Sequence, residues 1–236
     1  TIGFIKALIP LIISFALFFL VAIQPDLGTA VIILILGLIA IFYAGINLIY
    51  PIISLIGIAL ASPFLWTLLK PYQQNRIMIF LNPDLDPLGK GYHIIQSKIA
   101  IGSGGQNGNG FLGGSQSSLD FLPEKETDFV FAIFSEQFGF TGSMIVLGLF
   151  LIFFLIPILK SFKLSQVFNK LILFVLSFKI FFEFLINISM TIGLVPVVGV
   201  ALPFMSYGGS SLLSNLIICA LLINFMSITE KKRMFS

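Results

Sequence analysis

Charge is scarce in this chain. Only 10% of its 236 residues are Asp, Glu, Lys or Arg, 58% are hydrophobic, and mean hydropathy is +1.09. Water cannot solvate a surface of that kind over most of its extent, which excludes a large soluble domain. Cysteine is nearly absent too: Cys219 stands alone in an apolar stretch, so no intramolecular disulfide can form and the redox compartment is not legible. His93 is the only histidine and has no cysteine near it, which excludes a zinc site of the usual type. The net charge of +3 is small and the bases form no continuous stripe, so nucleic acid is excluded as a partner. The chain enters an apolar run directly from Thr1, with no basic n-region and no small-residue cleavage site, so no signal peptide is legible and a missing N-terminal portion is expected.

What is abundant is phenylalanine and long apolar sequence. Twenty-seven Phe residues, many in runs such as Phe150 to Ile158, suit contact with lipid tails. A hydrocarbon core about 30 Å thick needs about 20 apolar residues per helical crossing. Such stretches occur at 5–23, 29–48, 50–69, 130–159, 171–193 and 208–228, predicting an all-α polytopic membrane domain over 1–236 with about six spans. The fourth stretch is too long for one straight crossing. Either it tilts, or its first turns, with Glu136 and Gly139, stand above the bilayer or line a cavity. Six crossings place Lys6, Lys160, Lys163, Lys170, Lys231, Lys232 and Arg233 on one side, against the single acid Glu230. That bias marks the cytoplasmic face, so Asp26, the 70–127 loop and the 194–207 connection face outward.

The 70–127 loop is the only long polar stretch, and loops of that length in compact proteins are functional or disordered. Tyr92 to Ile101, including Gln96 and Lys98, has the spacing of a short amphipathic helix at the interface. The glycines from Gly102 to Gly114 fit either close backbone approach to a ligand or a flexible linker. Glu124, Lys125, Glu126 and Asp128 directly precede an apolar helix. Thr127 or Asp128 fits an N-cap there, with acids near the positive helix end. Asp128, flanked by Phe129 and Phe131 at the membrane edge, equally fits a partly desolvated general base for a sugar hydroxyl. Ser206, Gly208 and Gly209 open the last span, either as an N–H-rich anion site or as small residues for close packing. Asp26 or Thr29 is expected to cap the second helix. Lys179, Glu183 and Asn187 fall on one face of the fifth span, as an internal ion pair would. Glu136 follows Asp128 at i+8, where it tunes Asp128, supports a metal, or simply packs or hydrogen-bonds.

Four stretches occur in the order of a known family: Gln24 to Ala30; Asn82 to Gly89 with the run GYHIIQSKIAIGSGG from Gly91 to Gly105; Phe121 to Phe129; and Pro203 to Ser210. Over essentially its whole length the chain resembles the SEDS family. That resemblance implies a fold of about ten spans, of which about four N-terminal ones are absent here, and an activity that polymerises peptidoglycan glycan strands from lipid II. It also implies that the catalytic residue is the aspartate of the Thr-Asp-Phe motif, Asp128. The family pattern has Lys, Arg and Pro where this chain has Asn109, Gln74 and Ala201. The first two changes remove positive charge from the outward loop and leave Arg76, Lys90 and Lys98.

Glycan transfer from a lipid pyrophosphate needs a base for the acceptor hydroxyl and cations or N–H groups for the leaving group. Asp128 supplies the first; Arg76 and Lys98 supply the second, with Gln96, Ser206, Gly208 and Gly209 as further substrate contacts. A divalent cation such as Mg²⁺, shared between carboxylates and pyrophosphate, is compatible with these residues. The resemblance further implies lipid II and a class B penicillin-binding protein as partners, in the cytoplasmic (inner) membrane and in the machinery of cell elongation. A lipid II flippase and a non-catalytic scaffold are the alternatives. A flippase needs polar groups lining a mid-bilayer cavity, where the chain offers mainly Lys179 and Glu183.

Overall fold

The computed structural model describes residues 4–24, 26–45, 57, 60, 61, 63, 64, 66, 67, 69–86, 89–111, 113, 114 and 126–234. Most of the span expected at 50–69, Pro87 and Leu88 of the second motif, and Phe121 to Lys125 of the third lie outside the described residues. So do the side chains of Lys6, Lys90, Lys231, Lys232 and Arg233.

Among the described residues regular structure is entirely helical: α1 (Phe4–Ile23), α2 (Leu27–Tyr43), α3 (Pro71–Leu81), a 3-10 turn (Pro83–Leu85), α4 (Lys90–Ser103), α5 (Val130–Ser161), α6 (Val167–Thr191) and α7 (Gly209–Met234). Three of these, α5, α6 and α7 over Gly209–Ser227, are long and apolar enough to cross a membrane. Leu8–Ile23 and Leu27–Tyr43 are apolar and shorter. These five helices coincide with predicted spans, with ends moved by a few residues. Leu149, Ile152 and Leu159 of α5 are 60%, 56% and 58% exposed, an arrangement that water would penalise and lipid tails would not. The protein is a multi-pass membrane protein.

The chain divides into two compact units, residues 1–77 and 78–236. In the first, α1 packs on α2 where Gly37 faces Ser14, so closely that a Cβ at 37 would overlap the Ser14 hydroxyl. Asp26 caps α2 by accepting the Thr29 N–H at 3.0 Å, as expected from its place in the sequence. In the second unit, α4 lies against α5 and α6, and α6 against α7. Ser97 of α4 is fully buried and donates to the Thr191 carbonyl at 2.7 Å, which pins the loop helix to the end of α6.

α5 resolves the question of the overlong span. Its 32 residues are interrupted at Gly139, whose φ of 66° and ψ of −165° lie in a region essentially confined to glycine. Residues 140–161 beyond the break are about 33 Å long at about 1.5 Å per residue, enough for one crossing. A break frees carbonyls on one side and N–H groups on the other, and here the glycine-rich loop takes both. The Glu136 and Gln137 carbonyls accept from Asn109 N–H (3.0 Å) and Gly110 N–H (3.1 Å). The Phe140 and Thr141 N–H groups donate to the Gly105 (2.8 Å) and Gln106 (3.1 Å) carbonyls. Residues 104–110 are therefore a docked part of the fold, and the flexible-linker reading of this stretch is corrected. The physical reason is that the loop's backbone hydrogen bonds are made to the broken helix and not to water.

Gly139→Ala puts a side chain into a glycine-only conformation and onto the Gly108 N and Asn107 backbone. The expected cost is about 1–3 kcal/mol from strain alone, and the unfolding midpoint in detergent should fall clearly. Gly102, with open space around its added Cβ, serves as control. A Gly139→Ala variant melting with the Gly102→Ala control would show that the break does not depend on glycine.

Candidate active site

Residues 126–129 form a turn, and α5 begins at Val130 with Phe129 in the cap position. The cap assigned to Thr127 or Asp128 is thus displaced, because the helix starts later than the sequence suggested. The turn is anchored by Phe129, which is 1% exposed and packs with Ile94, Ala100, Ala132, Met190 and Val197. Its ring also lies 6.0 Å from that of His93 on α4. With Phe129 driven inward, Asp128 is left half-buried at the edge of this apolar cluster.

Polar side chains from two other elements fix the backbone on either side of Asp128. Asn187 of α6, fully buried, donates through Nδ2 to the Asp128 carbonyl (3.0 Å) and to the Val200 carbonyl (2.8 Å). The amide cannot be reversed, since its oxygen would then face two carbonyl oxygens. The Ser206 hydroxyl donates to the Thr127 carbonyl and accepts the Leu202 N–H at 2.7 Å. Tyr207 N–H donates to the Glu126 carbonyl at 2.7 Å. Consecutive carbonyls of the turn, at 126, 127 and 128, are held in this way by the 206–207 segment and α6. Gly199, with a φ of +75°, faces the carboxylate: a Cβ there would stand 3.5 Å from Asp128 Oδ2. Glycine at 199 permits the left-handed turn and keeps side-chain atoms off that side of the carboxylate.

The other expected site residues fall into different places. Ser206 serves the scaffold, its hydroxyl taken up by the clasp. Gly208 and Gly209 lead into α7, and an added Cβ at 209 would meet nothing within 4 Å, so this helix start has room for an anionic group. Lys98 is exposed on α4, with its Cε and Nζ against Gly193 at the carbonyl end of α6, where the helix dipole favours a cation. Gln96 is half-buried on the same helix. Arg76 belongs to the first unit, on α3, where its guanidinium stands 5.9 Å over the Tyr72 ring. Glu136 is fully buried, with its carboxylate against Gly114, and so underpins the loop. Asp26 is the α2 cap. Among the described residues no three His, Cys, Asp or Glu side chains converge. Asn187 and Gly199 were the residues that sequence reasoning placed elsewhere or passed over. A polar amide in an apolar helix and a lone glycine in Val197 to Val200 were the available signals.

An aspartate held by its backbone, half-exposed and bordered by aromatic surface, is suited to accept a proton from a hydroxyl. If the clasp sets its position, Asn187→Leu should leave two carbonyls without their donor. A loss of about 1–3 kcal/mol is expected, read as a lower unfolding midpoint. A Leu variant as stable as the parent would show that α6 does not hold the turn.

Comparison with known proteins identifies the family and the fold. A family model for cell cycle proteins of the FtsW, RodA and SpoVE type matches residues 3–231. The peptidoglycan glycosyltransferase MrdB of Escherichia coli K12 is 43% identical over 206 residues, covering 87% of this chain and 56% of that protein. The peptidoglycan glycosyltransferase RodA of Treponema pallidum is 49% identical over 156 residues, covering 66% of this chain and 36% of its own length. The chain thus spans about half, or less, of these relatives. Among solved structures, a chain of a peptidoglycan synthase complex superposes with a TM-score of 0.74 at 33% identity, covering 91% of this chain and 60% of that one. A Thermus thermophilus RodA D255A mutant shares the fold, with a TM-score of 0.61 at 22% identity, covering 94% of this chain and 58% of its own. The resemblance carried by the four motifs holds, and the chain belongs to the FtsW/RodA/SpoVE family, the SEDS proteins.

Proposed function

We propose that the full-length protein is a peptidoglycan glycosyltransferase that polymerises lipid II during cell elongation, with Asp128 as general base. The observation that carries this reading is the Asp128 turn, whose backbone is fixed by Asn187 and Ser206 while Gly199 leaves space at the carboxylate. The names of the relatives support it. Asp128 takes the proton from the acceptor sugar hydroxyl, whose oxygen attacks the anomeric carbon of the donor as the bond to the lipid pyrophosphate breaks. The leaving pyrophosphate is met by the N–H groups that open α7 near Gly208 and Gly209 and by Lys98. A divalent cation such as Mg²⁺ would need one or two of the protein's carboxylates, Asp128 among them, and would supply charge neutralisation for the leaving pyrophosphate. The cleft of about 360 Å³ beside the α5 break, lined among others by Phe131, Phe140, Leu147 and Ile188, suits part of the donor's hydrocarbon tail. The partner is a class B penicillin-binding protein, consistent with the synthase complex among the similar structures. Lys179 and Glu183, the groups that a flippase path would mainly draw on, pair with each other at 2.8 Å.

The site faces outward across the cytoplasmic membrane in this reading. In intact cells a membrane-impermeant thiol reagent should label a cysteine introduced at the exposed Asn109 and not one at Ser165, in a Cys219→Ser background. The opposite labelling would reverse the orientation.

Asp128→Asn in the full-length protein should lower lipid II polymerisation by about 10²- to 10⁴-fold, with membrane insertion and partner binding retained. Polymerisation near the parental rate would move the base to Glu124 or Glu126. Movement of lipid II across liposomes without polymer in the parent would favour the flippase, and neither activity would favour the scaffold.

A further inference from the structure

The proposed chemistry leaves unused a charged cluster inside the membrane. On α6, Lys179 Nζ lies 2.8 Å from Glu183 Oε2, one turn further along the same helix. In an apolar medium that pair already meets the main need of both charges. Lys179 nevertheless donates a second hydrogen bond, to Asn215 Oδ1 on α7 at 2.8 Å. Asn215 is fully buried, and its Nδ2 stands 3.5 Å from Ser211 Oγ. Around this contact the α6–α7 interface is apolar, built from Leu173, Leu176, Ile180, Ile218 and Leu222. Leucine and isoleucine pack acceptably at more than one helix register, whereas the Lys179–Asn215 bond is made at one. A slide of one turn, about 5.4 Å, would leave a buried amide without its cation.

That register bears on the Asp128 turn. Asn215 is six residues into α7, about 9 Å of helix from Gly209, and the segment just before Gly209 carries Ser206 and Tyr207. Those residues hold the Thr127 and Glu126 carbonyls. Two turns beyond Lys179 on α6, Asn187 holds the Asp128 carbonyl. The same two helices that the cluster ties together therefore grip both sides of the turn. We propose that Lys179, Glu183 and Asn215 form a positioning cluster that sets α7 against α6 and thereby holds the Ser206–Tyr207 segment on the Asp128 turn. The catalytic consequence rests on Asp128 being the base; the structural consequence does not.

The test uses full-length protein in nanodiscs and compares Asn215→Leu with Asn215→Asp, which keeps an oxygen for Lys179. The Leu variant should lose about tenfold in kcat for lipid II polymerisation with KM little changed, and the Asp variant should retain most of the parental kcat. Hydrogen exchange should quicken at the 205–207 amides in the Leu variant alone, with the 131–138 amides still protected. Unchanged exchange at 205–207 would overturn the proposal whatever the rate. So would a parental kcat in Asn215→Leu, or exchange rising equally at 131–138, which would mean general loss of fold. A fully active Asp128→Asn variant would instead sink the base assignment, while the exchange comparison would still decide whether the cluster holds the segment.

Discussion

The two hydrogen bonds from the Asn187 amide to the Asp128 and Val200 carbonyls are the contact on which the arrangement of this site depends. A polar side chain inside an apolar helix must find partners within the protein, and a turn that is not helical must dispose of its carbonyls. Each need is met by the other. α6 thereby becomes the post on which the 126–129 turn and the 197–202 segment are both fixed, and the Ser206 hydroxyl repeats the device from the α7 side. The carboxylate of Asp128 is held through its backbone, which leaves its side chain to face Gly199.

The same constraint explains the break in α5. An uninterrupted helix of 32 residues would be about 48 Å long, well beyond a hydrocarbon core of about 30 Å. Interrupting it at Gly139 shortens the crossing but releases carbonyls and N–H groups at the membrane edge. The 104–110 loop supplies the complementary groups, so the glycine-rich stretch is as ordered as the helices it joins. Glu136, turned toward Gly114, extends that contact into the next part of the loop. In consequence the loop helix α4, the broken helix and the Asp128 turn pack together.

Among the described residues, amide and hydroxyl groups supply the contacts to the backbone of the turn. Lys179 and Glu183 form an ion pair within α6, and even there the link between helices runs through the Asn215 amide. Neutral donors suit this setting because they give direction to a contact without the large desolvation cost of an unpaired charge. The half-exposed Asp128 of the turn stands next to buried, apolar Phe129.

The sequence by itself determined the class of fold, the places of five apolar helices and the motif that contains Asp128. Hydrophobic run length and the sidedness of lysine are set by the bilayer, which acts on each segment independently of its neighbours. It also gave α2 its Asp26 cap, a contact between residues three apart. Tertiary structure alone decided how α5 is shortened, that the glycine loop is docked, that Asn187 serves the turn as well as lying beside an ion pair, and that Ser206 is a fastener. These are contacts between residues far apart in the chain, such as the 59 positions from Asp128 to Asn187 and the 79 from Thr127 to Ser206. Composition and periodicity report only on near neighbours, whereas the position of the Asp128 turn depends on which distant groups the fold brings within about 3 Å of its backbone.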